Sequence, residues 1–169
     1  NDVAAAAAAI AAWRREGGRG TIWIAFETLY SMDGDLAPLQ QLADLAERYR
    51  AGLIVDEAHA TGLYGPEGQG RVAALGLTSK VTATLHTCGK AMGLGGAFVV
   101  SSERLRRLLV NQARPFIYST GPLPVVAPAL EASIAAIRED AARRERPLAL
   151  AQRLRSHLVR GGLEVRGDS

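Results

Sequence analysis

The sequence is poor in several residue types, and each scarcity excludes a class of protein. Cys88 is its only cysteine, so a disulfide-held scaffold is excluded and a reducing, cytoplasmic location is expected. The formal net charge of +3 in 169 residues is too small for a nucleic-acid-binding surface. We expect no targeting segment, because the alanine-rich start of the sequence has no basic region before it and is far shorter than the ~20 residues that span a bilayer. We therefore expect neither nucleic acid nor membrane as a partner.

Lysine is also scarce. Lys80 and Lys90 stand among a basic set that is otherwise entirely arginine. A lysine therefore runs against the local composition, which marks both positions for closer attention. With 48% hydrophobic and 22% charged residues, the chain has the composition of a globular domain that buries a core.

Helical and strand-like segments alternate along the chain. This order, with short apolar strands, predicts an α/β fold with a mainly parallel sheet that helices cover on both sides. The predicted helices are 3–15, a segment starting around Pro38, 105–113, 125–137 and 148–159. The predicted strands are 22–26 and 53–55, both buried on two faces, then 81–85, 97–100 and a last one starting at 163–165. Gly52 is expected to end the second helix.

The Arg- and Glu-rich stretch 138–146 before Pro147 is the best candidate for a domain boundary, and a solvated helix face is the alternative. We expect residues 1–140 to form part of a large ligand-binding domain. Residues 141–169 are expected to hold a connecting helix and the start of a smaller domain.

Polar residues follow three of the predicted strands. Glu27 follows the first, Asp56 the second, and 87–90 the third. Ligands bind beyond the carboxyl ends of parallel strands, so these groups are expected to face one crevice.

The segment Asp56-Glu57-Ala58-His59 has two functional interpretations. Its letters match the Mg²⁺-binding D-E-A-H signature of one helicase class, but no phosphate-binding G-x-x-x-x-G-K-[ST] precedes it. Alternatively, a strand-terminal aspartate can hold a pyridoxal phosphate ring as a pyridinium while a nearby histidine binds a ring substituent. A turn-capping aspartate with a satisfied histidine is the purely structural alternative. A metal site is not favoured, because no helical histidine pair and no second cysteine exist.

Lys90 lies in a glycine-rich apolar segment, 86–96. A Schiff base needs an amine that can lose its proton, which arginine does not provide. Lys80 lies in a polar turn and fits a solvated surface lysine. Lys90 after Asp56 and His59 therefore favours pyridoxal chemistry.

Four segments together carry a family resemblance. They are E-T-L-Y-S-M-D-G-D at 27–35, V-D-E-A-H-A-T-G at 55–62, H-T-C-G-K-A-M-G at 86–93 and R-P-F-I-Y-S-T at 114–120. In this order and spacing they resemble the α-oxoamine synthases, enzymes of the fold-type I superfamily that depend on pyridoxal 5'-phosphate (PLP). Ala60 stands where the family more often has Gly or Ser.

The resemblance implies a decarboxylative condensation of an amino acid with an acyl thioester to give an amino-ketone. L-alanine and pimeloyl-CoA, or pimeloyl carrier protein, are the expected substrates, in biotin biosynthesis; other members of the family use other pairs. The family's chains are much longer, so this sequence resembles a middle fragment. A fragment that is inert by itself is thus a further possibility, and the helicase is a distant one.

The resemblance also implies residue roles. Lys90 would be the Schiff-base lysine, Asp56 would pair with the pyridine nitrogen, and His59 and Ser31 would contact the ring hydroxyl. Thr87 would bind the phosphate. Lys90, His59 and Asp56 are the expected catalytic residues.

Two further roles follow from the same resemblance. Ser119 and Thr120 would reach the cofactor phosphate of the partner subunit in a homodimer, and Glu27 would lie behind the residues that contact the cofactor.

Overall fold

The computed structural model describes residues 1–167. Helices and strands alternate in its first half, and helices dominate the second, which confirms the predicted α/β class. The helices are α1 (Val3–Arg15), α2 (Leu39–Tyr49), α3 (Arg71–Ala74), α4 (Glu103–Gln112), α5 (Arg114–Ile117), α6 (Val126–Glu139) and α7 (Ala141–Arg160). The strands are β1 (Trp23–Glu27), β2 (Gly52–Asp56), β3 (Ala83–Thr87) and β4 (Ala97–Ser101), and a 3₁₀ turn covers Thr78–Lys80.

The four strands form one sheet in the order β1-β2-β3-β4. β1, β2 and β3 run parallel, while β4 pairs antiparallel with β3. The carboxyl ends of the three parallel strands consequently meet at one edge of the sheet. The chain between β3 and β4 turns back at that same edge, and it contains Lys90.

The core lies between α2 and one face of the sheet, and we refer to that face as the core face. Apolar residues at helical spacing on α2 pack against β2, whose Leu53 and Val55 are fully buried. The helix ends with Arg50 in the left-handed conformation (φ 51°), which closes it through bonds to the carbonyls of residues 46 and 47. The prediction that Gly52 ends this helix is therefore wrong, since Gly52 begins β2.

The opposite face of the sheet, the front face, is largely uncovered within residues 1–167. Trp23 is 54% exposed, Ile54 42% and Val99 48%. The prediction that the first two strands are buried on both faces is thus wrong, because their apolar runs alternate between a covered and an open face.

Two differences occur near the end of the chain. No strand forms at 163–165, within the residues that the structure describes. α7 begins at Ala141 and continues through Pro147. Asp140 starts this helix as its N-cap, accepting a bond from the Arg143 amide at 2.8 Å. No helix among residues 1–167 is long and apolar enough to cross a membrane.

Candidate active site

The strands place three predicted site residues on the front face at the carboxyl edge. Glu27 and Asp56 are direct partners across β1 and β2, so their side chains lie beside each other. Thr87 stands two residues beyond Leu85, the β3 partner of Asp56, and therefore points to the same face. The expected meeting of polar groups at this edge follows from parallel pairing alone.

A turn after β2 adds His59 to this edge. Asp56 Oδ1 accepts a bond from the Ala58 amide at 2.7 Å, which fixes the carboxylate and starts the turn. His59 Nδ1 then lies 3.4 Å from Glu27 Oε2. This nitrogen is buried and has no hydrogen-bond partner among the residues described, because the approach of Glu27 is too poorly aligned for a bond. Both side chains are about one-third exposed, at 30% and 35%.

The segment between β3 and β4 presents Lys90. Its base is closed by two backbone bonds, from Cys88 N to Gly96 O and from Leu94 N to Cys88 O. Lys90 Nζ lies 3.4 Å from Thr87 Oγ1, and no carboxylate pairs with it within residues 1–167. Lys80, in contrast, pairs with Asp44 at 3.6 Å and Glu47 at 3.1 Å.

Two close contacts hold the Lys90 segment against its neighbours. A Cβ built on Gly62 would lie 2.5 Å from Ala91 Cβ, so the loop after His59 packs directly on this segment. From the other side, Ser133 Oγ of α6 donates to Met92 O at 2.9 Å. The turn with His59 and the turn with Lys90 are therefore fixed relative to each other.

Three predicted site residues stand apart from this cluster. Ser31 lies exposed in the turn after β1, and Ser119 and Thr120 lie exposed after α5. The Ser119 hydroxyl donates to Phe116 O at 3.1 Å. Within the described residues no hydrogen bond joins these three side chains to Asp56, His59 or Lys90.

Glu57 is the residue of this region that the sequence did not identify. It is 1% exposed, and its oxygens accept bonds from Thr28 Oγ1 and from the amides of Arg71 and Val72. A carboxylate enclosed in this way cannot reach a metal-bound nucleotide, which argues against the helicase interpretation. The alternation of side chains along a strand could have predicted this burial, because the residue after Asp56 must point into the core. No cluster of three potential metal ligands occurs in residues 1–167.

His86 lies behind the candidate site, on the core face. Thr61 Oγ1 donates its single proton to Glu57 O at 2.7 Å, so it accepts from His86 Nδ1 at 2.8 Å. Burial lowers the pKa of His86, although the negative charge of Asp56 opposes the shift. The His86 ring also stacks on Phe98, with ring centres 5.1 Å apart.

A cavity of about 710 Å³ also lies on the core face, between β3, β4 and α6. His86, Phe98 and Ile137 contribute to its lining, whereas none of the predicted site residues does. The candidate site is thus an open edge of the sheet and is separate from this cavity.

A family model, aminotransferase class I and II, matches residues 1–169. The chain is 44% identical over 139 residues to 8-amino-7-oxononanoate synthase of Anaeromyxobacter dehalogenans, covering 82% of this chain and 35% of the relative. It is 45% identical over 150 residues to the enzyme of that name in Acidithiobacillus ferrooxidans, covering 88% and 39%. The chain therefore spans between about one-third and two-fifths of the length of these relatives.

Solved structures of similar fold also match this chain over part of their length. A serine palmitoyltransferase (SPT) from Sphingomonas wittichii superposes with a TM-score of 0.82 at 28% identity, covering 89% of this chain and 39% of that one. An SPT structure with a PLP internal aldimine gives 0.81 at 31% identity, with the same coverage. The 8-amino-7-oxononanoate synthase of Francisella tularensis gives 0.77 at 25% identity, covering 92% and 46%.

Proposed function

The chain belongs to the aminotransferase class I and II family and is similar to α-oxoamine synthases within it, and on this premise we propose that it carries the PLP-binding lysine and its partners. The observation that carries the proposal is the Lys90 amine, free of any carboxylate within residues 1–167, at the sheet edge that also holds Asp56 and His59. The whole protein would then condense an amino acid with an acyl thioester, with loss of CO₂.

The residues at this edge fit PLP in three respects. Lys90 Nζ is exposed and close to a hydroxyl only. Asp56 uses Oδ1 for the Ala58 amide, which leaves Oδ2 available for a protonated ring nitrogen. His59 has a buried nitrogen without a bond, beside a carboxylate, so the ring can still adjust when a ligand binds.

Each of these side chains would have a distinct task. PLP, when bound, supplies an aldehyde for covalent attachment and a ring that accepts electrons. Lys90 would bind it through Nζ and, once displaced by the amino acid, would take the α-proton. Asp56 would hold a proton on the ring nitrogen, and His59 and Ser31 would orient the ring hydroxyl. Thr87, whose hydroxyl is 3.4 Å from Lys90 Nζ, would bind the phosphate.

We further propose L-alanine and pimeloyl-CoA, or pimeloyl carrier protein, as substrates, in biotin biosynthesis. The names of the curated relatives support this choice. The SPT structures support equally the alternative of another α-oxoamine synthase, with a different amino acid and thioester.

The assembly and domain proposals rest on the second half of the chain. The segment with Ser119 and Thr120 is exposed together with Phe116 (63%), Tyr118 (79%) and Leu123 (71%), as a surface that meets a second subunit would be. We propose that these two hydroxyls reach the partner's cofactor phosphate in a homodimer. Residues 1–140 would belong to the large domain, and 141–169 would form the connecting helix and the start of the small domain.

Borohydride trapping tests the lysine assignment. The chain is incubated with PLP and reduced, and the modified residue is located by mass spectrometry. We expect an absorbance band in the visible range and label on Lys90. Lys90→Arg should abolish both, whereas Lys80→Arg, the matched control, should leave both intact. Label on Lys80 instead, or equal labelling of both variants, would refute the assignment.

The substrate proposal needs a polypeptide of the relatives' full length that contains this segment. With L-alanine and pimeloyl-CoA we expect release of CO₂ and an amino-ketone. Turnover with L-serine and palmitoyl-CoA in their place would assign the alternative. The 169-residue chain assayed beside it shows whether this part alone is inert.

A further inference from the structure

We propose that Glu57 is a positioning residue, which fixes the ends of β1 and β2 from the core face so that Glu27, Asp56 and His59 keep their places on the front face. The inference rests on the proposed function only in the task assigned to the front-face groups. The structural part, that one buried carboxylate holds two strand ends, does not depend on any cofactor.

The geometry follows from strand alternation. Glu27 and Asp56 are paired neighbours on the front face, so the next residue on each strand, Thr28 and Glu57, points to the core face. Both are buried, at 0% and 1% exposure. Thr28 Oγ1 donates to Glu57 Oε2 at 2.6 Å, directly behind the front-face pair. The backbone repeats this link, since Thr28 N donates to Asp56 O at 3.0 Å.

Glu57 also holds the start of α3. Its Oε2 accepts from Arg71 N at 3.1 Å, and its Oε1 accepts from Val72 N at 2.6 Å. The Arg71 guanidinium then reaches back to β1, donating to Thr28 O at 2.7 Å and to Ala37 O at 3.0 Å. Thr28 is thus held through its hydroxyl by Glu57 and through its carbonyl by Arg71.

These contacts require a carboxylate specifically. Three donors, one hydroxyl and two amides, converge on the two oxygens of Glu57. A glutamine of the same size has one acceptor oxygen and an NH₂ group, so at least one donor would face another donor. Glu57→Gln therefore changes this hydrogen bonding while it preserves the side-chain volume.

The positions on the front face are measured by NMR on the unliganded chain. Nuclear Overhauser contacts between the His59 ring and the Glu27 side chain report the 3.4 Å approach. The Ala58 amide signal reports its bond to Asp56 Oδ1. We expect Glu57→Gln to lose the contact and to shift the amide signal, while the exposed His157 ring stays unchanged. Because no cofactor is present, failure of PLP binding cannot imitate this result.

Thr28→Val tests the same proposal if Glu57→Gln does not fold. It removes one hydroxyl and leaves the bonds of Glu57 to α3. It should produce the same two changes. The matched control is Thr82→Val, because Thr82 Oγ1 accepts from Leu53 N at the other end of β2, at 3.2 Å. This control should keep the wild-type contact. Retention of the His59–Glu27 contact in both Glu57→Gln and Thr28→Val would overturn the proposal and leave Glu57 a role in stability alone.

Discussion

Adjacent residues of one motif lie in different surroundings in this protein. Asp56 and His59 face the open edge of the sheet, whereas Glu57 between them is buried among three donors. The sequence order of strands was enough to expect Glu27, Asp56 and Thr87 at one edge, because the carboxyl ends of parallel strands converge there. The buried position of Glu57 was not predicted, because the D-E-A-H letters suggested a Mg²⁺-binding residue. Its neighbours Thr28 and Arg71 come from distant parts of the chain.

Gly70 gives a test at this scale. It has φ +114°, and a Cβ there would lie 2.7 Å from Glu57 Cδ. We expect Gly70→Ala to destabilise the fold by the ~1–2 kcal/mol of a left-handed residue and by a further ~1–3 kcal/mol for overpacking. Urea unfolding measures both terms together.

Gly76→Ala is its control, because Gly76 also has positive φ (+67°) but nothing within 4 Å of the added carbon. Gly76→Ala should lose only the part of the unfolding free energy that comes from the positive φ. Equal losses in the two variants would mean that the chain at Gly70 moves away from Glu57 without cost.

At the scale of elements, the junction of α6 and α7 depends on one buried arginine. Arg144 is 9% exposed and donates to three carbonyls, those of Pro66, Ile137 and Arg138. The guanidinium thereby closes the end of α6 and joins it to the loop between β2 and α3. The sequence indicated a boundary in this stretch, but it could not show which of several arginines turns inward, since all share the same local composition.

Arg144→Met should therefore destabilise the chain by ~1–3 kcal/mol, because three backbone carbonyls lose the donor that joins them. The adjacent Arg143 is 79% exposed and pairs with Asp140 on the surface. Arg143→Met should cost less than ~1 kcal/mol, as surface ion pairs do. Thermal and urea unfolding of both variants provide the comparison, and similar losses would contradict the role given to Arg144.

For the molecule as a whole, His86 should shape the dependence of stability on pH. Its pKa is lowered by burial, so the unfolded chain binds a proton more readily than the folded one. Stability from this residue is complete above about pH 6.5 and is lost as the pH falls from there through the folded pKa. Burial raises the pKa of Glu57, and this acts in the opposite direction. The folded chain then holds the Glu57 proton more readily than the unfolded chain, so stability from Glu57 is lost as the pH rises above the ordinary pKa of a glutamate.

His86→Gln isolates the first effect. Compared with wild type, it should lose less stability between pH 6.5 and 5 in urea titrations. His157→Gln, on an exposed turn of α7, should follow the wild-type profile. A His86→Gln curve parallel to wild type across this range would show that the fold does not lower the pKa of this histidine.

Much of this architecture was predictable, for a physical reason. Alternating apolar runs specify strands and helices, and parallel strands carry Glu27, Asp56 and Thr87 to one edge. The open front face was not predictable, because a run such as Leu53-Ile54-Val55 has the same composition whether one or both of its faces are covered. The same limit applies to Ser31, Ser119 and Thr120, whose predicted roles depend on groups outside this cluster.

The opposite orientation of Asp56 and Glu57 has a consequence for how this segment can change over time. A single-residue deletion within β2 would reverse the phase of the strand and send Glu57 to the open face and Asp56 into the core. Substitutions alter one position, whereas such a deletion would exchange the two tasks at once. The length of β2 up to Asp56 should therefore tolerate insertions or deletions of two residues better than those of one.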